Sequence, residues 1–163
     1  MTDMSSSAES STPLNHPPKV YRAMKRDPLD GLPVVGSTSS SELGVRTGND
    51  INNDINIDAM GNVVLNGSGM SVAPGWRDLE LARIPKRLGH VVPGARGANS
   101  MSCYAMGVGL FQNGIVANGL ELIPDEGPAP VTHGVVAPAQ AVPFTQYQTD
   151  LENTRAAWQI DET

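Results

Sequence analysis

Arg22 stands in the run Val20-Tyr21-Arg22-Ala23-Met24, whose β-branched and aromatic content reads as a strand. Alternation gives Arg22 the same face as Val20 and Met24, and a guanidinium among apolar side chains must find an anion or a cluster of acceptors. A phosphate group meets that demand. Ser71 follows Asn66-Gly67-Ser68-Gly69, a tight turn where backbone can approach a ligand closely, although a serine there can equally close the turn. Arg83, Lys86, Arg87 and Arg96 gather with His90 into a basic stretch. That stretch reads either as a solvated loop or as a further place for ligand phosphates.

Other chemistries fail on spacing. Asp54-Ile55-Asn56-Ile57-Asp58 imitates the start of a calcium loop, but Ala59 stands where the sharp turn needs glycine and Leu65 where a bidentate glutamate is required. His16, His90 and His133 have no paired ligand spacing, and one cysteine, Cys103, offers zinc no partner. Gly107-Val108-Gly109-Leu110-Phe111-Gln112 breaks the dinucleotide fingerprint at its third glycine, which excludes a Rossmann site. Gly69-Met70-Ser71-Val72-Ala73 is one glycine short of a hydrolase elbow. The strand-to-helix units that such an elbow requires are missing, so a serine hydrolase using Asp125 and His133 stays at the margin. Cys103 reads as a small buried apolar residue rather than a nucleophile.

The elements that must position these residues belong to one small unit of 163 residues. Glycine (17) and proline (13) without a three-residue period exclude collagen and coiled coil and favour a turn-rich, largely β chain. The balance of 11 basic against 17 acidic residues, a net charge of -6, argues against a nonspecific grip on nucleic acid. The single cysteine points to a reducing cytoplasm. No window approaches the roughly 18 apolar residues of a membrane span, and the first twelve residues are polar, unlike a general-export signal.

Residues 1–17, rich in Ser, Thr and Pro, read as a disordered lead to an ordered body over 18–163. Residues 36–56 read as a polar loop with little core and at most one short extended piece, Leu43 to Arg46. A hairpin is expected over 55–66, and short helical turns on either side of Pro85. Strands are expected over 102–106, 114–117, 120–123 and 131–137, the middle two being either separate or one bent strand. Phe144, Tyr147, Leu151, Thr154 and Trp158 recur at three and four, which predicts a helix over 143–158. The resulting fold class is α+β, with antiparallel-rich sheets, short helical pieces and a C-terminal helix.

Taken in order, Val20-Tyr21-Arg22-Ala23, Gly69-Met70-Ser71-Val72, Ile123-Pro124-Asp125, Thr132-His133-Gly134-Val135-Val136-Ala137-Pro138 and the helix start after Pro143 resemble a known family. It is that of the type VI secretion effector toxins with an ADP-ribosyltransferase-like fold. The resemblance covers most of residues 19–158 through short motifs, and Met70 and Gly134 stand where the family carries threonine and tyrosine. It implies a compact ADP-ribosyltransferase-like domain that uses NAD as substrate. It further implies action on an intracellular target in the recipient cytoplasm, delivery without a general-export signal, and an immunity protein in the producing cell. By position it makes Tyr21, Arg22 and Ser71 NAD-binding residues, with Arg22 facing the phosphates, and makes Ser71 and His133 catalytic. A transferase of this kind also needs a carboxylate for its oxocarbenium-like transition state, and Glu121 in Leu120-Glu121-Leu122 is the strand-borne choice. Glu121 can equally be an outward residue of an alternating strand. The competing reading is a non-enzymatic binding domain that keeps the fold without the chemistry.

Overall fold

The computed structural model describes residues 16–47 and 54–163. The run around Arg22 forms β1 (Val20–Lys25), followed by β2 (Met70–Val72), β3 (Met101–Met106), β4 (Gly114–Ala117), β5 (Leu120–Pro124) and β6 (Gly134–Pro138). Helix α1 (Phe144–Glu152) and the two-residue β7 (Gln159–Ile160) complete the order. Two antiparallel sheets result, one ordered β1-β3-β7 and the other β2-β6-β5-β4. A backbone bridge stitches them. Tyr21 and Ala73 exchange both backbone hydrogen bonds, at 2.8 and 2.9 Å, which sets β1 beside the end of β2. The mixed, antiparallel-rich α+β expectation holds.

Alternation along β1 and β3 divides the apolar side chains between two cores. Val20, Met24, Tyr104 and Met106 join Met70, Val72, Leu120, Leu122 and Val136 beneath α1, which contributes Tyr147 and Leu151. Tyr21, Cys103 and Ala105 face the other way and pack with Trp76, Ile84 and Leu88. The Tyr147 hydroxyl accepts a hydrogen bond from the Met70 amide and donates one to the Val136 carbonyl, tying α1 to both β2 and β6. Gly69 permits this approach, because a Cβ there would lie 2.8 Å from the Val136 carbonyl oxygen and 3.1 Å from the Tyr147 hydroxyl.

Several expectations are revised. The helix ends at Glu152 rather than 158, because the Thr154 hydroxyl and amide both turn back to the Leu151 carbonyl, at 2.6 and 3.0 Å, and the chain tightens into a 3₁₀ turn over Arg155–Ala157. Trp158 nevertheless returns to the same face and is buried. The polar stretch from 36 to 56 does feed the core, since Leu43, Val45 and Ile55 are all buried. The hairpin over 55–66 is a single antiparallel bridge, Ile57 to Val63, around a turn in which the Asp58 carboxylate accepts from the Met60 and Asn62 amides. β6 begins at Gly134 rather than 131, and β4 and β5 are separate strands joined at Gly119, whose φ is +79°. The 3₁₀ turns Trp76–Asp78 and Lys86–Leu88 fall on either side of Pro85, as its position predicts. The disordered lead expected over 1–17 lies outside the described residues up to 15, and at its end the Pro17 carbonyl accepts from the Val108 and Gly109 amides at 3.1 and 2.7 Å. No helix among the described residues is long and apolar enough to cross a membrane.

Candidate functional site

A cleft of ≈ 160 Å³ opens at the seam between the two sheets, with Arg22, Ser71, Asp78, Glu80, Arg83 and His133 among its lining. β1 delivers Arg22. Its guanidinium is almost fully buried and spends its donors on backbone: Nε on the Glu42 carbonyl at 3.2 Å, Nη1 on the Ser71 carbonyl at 2.9 Å, and Nη2 on the Ser40 and Glu42 carbonyls, each at 2.9 Å. Burial, and after it the nearby Arg83, lowers the Arg22 pKa to about 10, so the group stays cationic at neutral pH.

Three-residue β2 presents Ser71 outward while Met70 and Val72 point into the core. Pairing of Val72 with Gly134 brings the residue before β6, His133, level with Ala73 and hence to the Ser71 side of the sheet. His133 Nδ1 lies 2.9 Å from Asp125 Oδ2, a half-exposed pair at the mouth of the cleft. With Asp125 on Nδ1, Nε2 is left to take up or pass on a proton. No hydrogen bond joins His133 to Ser71, so the relay of a serine hydrolase is not assembled.

The segment after β2 supplies the rest. Trp76 anchors it in the smaller core and donates from Nε1 to the Thr163 carbonyl at 3.1 Å. Asp78, Glu80 and Arg83 follow along the cleft wall. Arg83 Nε donates to Glu80 at 2.8 Å and Nη1 to the Ser40 carbonyl at 2.9 Å, the same carbonyl that serves Arg22. The Arg83 hydrogen bond holds the Glu80 carboxyl below its ordinary pKa.

Of the residues singled out in the sequence, Arg22, Ser71, His133 and Arg83 therefore meet. Tyr21 and Glu121 stand elsewhere. Adjacent strand positions face opposite ways, so Arg22 at the cleft turns Tyr21 to the smaller core, where its hydroxyl donates to Asp161 at 2.8 Å. Glu121 on β5 lines a separate groove with Leu65, Ser68 and Ile123. Asp78 and Glu80 were not singled out, although the Glu80 to Arg83 spacing of three is a legible ion-pair signal. Of the remaining basic stretch, Arg87 is committed to a two-pronged pair with Glu162, at 2.8 Å on each arm. Cys103 is fully buried, and burial pushes its thiol up to about 12, which removes it as a nucleophile.

Packing accounts for the residues at positions 70 and 134. Met70 fills the main core, and a Cβ at Gly134 would lie 2.9 Å from the Ile123 carbonyl oxygen, so a side chain there would force the backbone to shift. Among the described residues no three His, Cys, Asp or Glu side chains converge as metal ligands, and Asp54 of the calcium-like run instead forks onto Arg46 at 3.0 Å on each arm. Comparison of the chain with protein-family models, curated proteins and solved structures finds no match.

Proposed function

We propose that the cleft binds NAD and that the chain is an ADP-ribosyltransferase-like toxin acting on an intracellular target. The observation that carries this reading is the meeting of Arg22, Ser71 and His133 at one cleft, from three strands or strand ends far apart in sequence. The bond to be broken joins the nicotinamide nitrogen to the ribose. Nicotinamide leaves with the bonding electrons, and the ribosyl carbon becomes oxocarbenium-like until an acceptor oxygen or nitrogen attacks it. Asp78 and Glu80 are the carboxylates at hand to stabilise that cation, in the part first given to Glu121. His133, oriented by Asp125, takes the proton that the acceptor releases. Ser71 bounds the pocket beside them. Toxicity of this kind would oblige the producing cell to hold an immunity protein.

A second reading, a binding domain without transferase activity, draws support from Glu121 lying away from the cleft and from the loss of a hydroxyl at Met70. One experiment separates the two: titrate wild type and Ser71→Ala with NAD, measure free nicotinamide over time, and express both in a sensitive host. The transferase reading expects NAD binding, nicotinamide release and toxicity in wild type, with release and toxicity reduced in Ser71→Ala at an unchanged melting temperature. Binding without release supports the binding-domain reading. Absence of NAD binding overturns the first.

A further inference from the structure

Arg22 and Arg83 share the Ser40 carbonyl, yet their remaining donors differ sharply. A guanidinium has five N–H donors. Arg22 makes four hydrogen bonds, all to backbone carbonyls, which leaves one donor on Nη1. Arg83 makes two, through Nε and one arm of Nη1, which leaves three, including both on Nη2. Bidentate recognition of a phosphate needs two N–H groups side by side. Arg22 cannot offer them without abandoning the carbonyls that hold the segment at 40–42 and β2. Arg83, about one-third exposed on the cleft wall, can.

We infer that Arg83, not Arg22, grips the anionic part of the ligand, a pyrophosphate or phosphate diester, while Arg22 is a positioning residue that fixes the cleft floor and adds one donor. The inference rests on the cleft being the ligand site proposed above, and it moves the phosphate contact from the first strand to the segment after β2. The arrangement holds two guanidiniums on one carbonyl with a single carboxylate, Glu80, paired to Arg83. An anion seated on the free arm of Arg83 offsets their repulsion. Asp78, the other acidic group of the wall, disfavours an anion seated beside it.

The test is calorimetric titration of the full chain with inorganic pyrophosphate, with NAD and with nicotinamide, in wild type, Arg83→Gln and, as a surface control, Lys25→Gln. Arg83→Gln should weaken pyrophosphate binding roughly ten- to a hundredfold, weaken NAD similarly, and leave nicotinamide unaffected. Lys25→Gln should bind as wild type does. If Arg83→Gln melts more than a few degrees low, Arg83→Lys decides: weakened pyrophosphate binding in a folded Lys variant supports the fork, and wild-type affinity overturns it. Pyrophosphate binding that ignores Arg83→Gln, or no pyrophosphate binding by wild type, overturns the inference. Arg83-dependent pyrophosphate binding without NAD binding sustains it while removing the NAD reading.

Discussion

Arg22→Met keeps the length of the side chain and deletes its charge and every donor. Three carbonyls lose hydrogen bonds, but Ser40 retains Arg83, so Glu42 and Ser71 are the ones left orphaned. A buried acceptor without a partner costs about 1 to 3 kcal/mol. Against this, removing the cation relieves its burial penalty and its repulsion from Arg83, the two largest causes that depress its pKa. We therefore expect a net loss of about 2 to 4 kcal/mol, or roughly 5 to 15 °C in Tm for a chain of this size. Arg22→Lys should fall nearly as far, because one ammonium cannot span carbonyls presented by residues 40, 42 and 71. Urea denaturation at neutral pH, with the midpoint falling and the slope unchanged, measures the loss. A cost under about 1 kcal/mol would refute the reasoning, since it would mean that the Glu42 and Ser71 carbonyls do not depend on this guanidinium.

Trp158→Ala should cost about 3 to 5 kcal/mol by the same assay, because the ring is almost fully buried and its Nε1 donates to Thr154 Oγ1 at 2.9 Å. A cost below about 1 kcal/mol would remove Trp158 from the core. Asp161 accepts from the Tyr21 hydroxyl and the Lys19 ammonium, which hold its carboxyl well below the ordinary range. A depressed carboxylate adds stability above its unfolded pKa, and that stability is lost as pH falls through the folded value. Wild type should therefore exceed Asp161→Asn by on the order of 1 kcal/mol at pH 7, after allowance for solvent screening, with the gap shrinking below about pH 4. Melting both proteins from pH 7 down to pH 2 checks this, and a gap that widens in acid would contradict it.

Strands whose period and boundary residues agree were legible in the sequence. β1 declares itself through Val20, Tyr21 and Met24, and the two 3₁₀ turns through Pro85, because each rests on a local backbone preference. The end of α1 was not legible, since a hydroxyl two residues beyond it reaches back to Leu151 while Trp158 keeps the apolar spacing going. The buried Leu43, Val45 and Ile55 were hidden in a polar stretch, as single apolar residues carry no period. At the cleft, the demand of Arg22 for acceptors was readable, but the carbonyls that meet it were not, because every residue has one. The groove that Glu121 lines was hidden for a related reason. Alternation says that Glu121 points outward from β5, whereas which groove it reaches depends on strand order.

The register also dictates when the molecule can take shape. Val20 on β1 pairs with Met106 and Met70 on β2 with Val136, whereas β4 and β5 form a local hairpin through Gly119. During synthesis β1 has no ladder partner until about eighty residues have followed it, and β2 must wait for a strand more than sixty residues downstream. The cleft, built from β1, β2 and the residue before β6, therefore closes late, after the β4–β5 hairpin can already exist. Until the strand at 134–138 emerges, Ser71 belongs to an unpaired strand although Arg22 can already sit opposite Tyr104 on β3, and the cleft is incomplete.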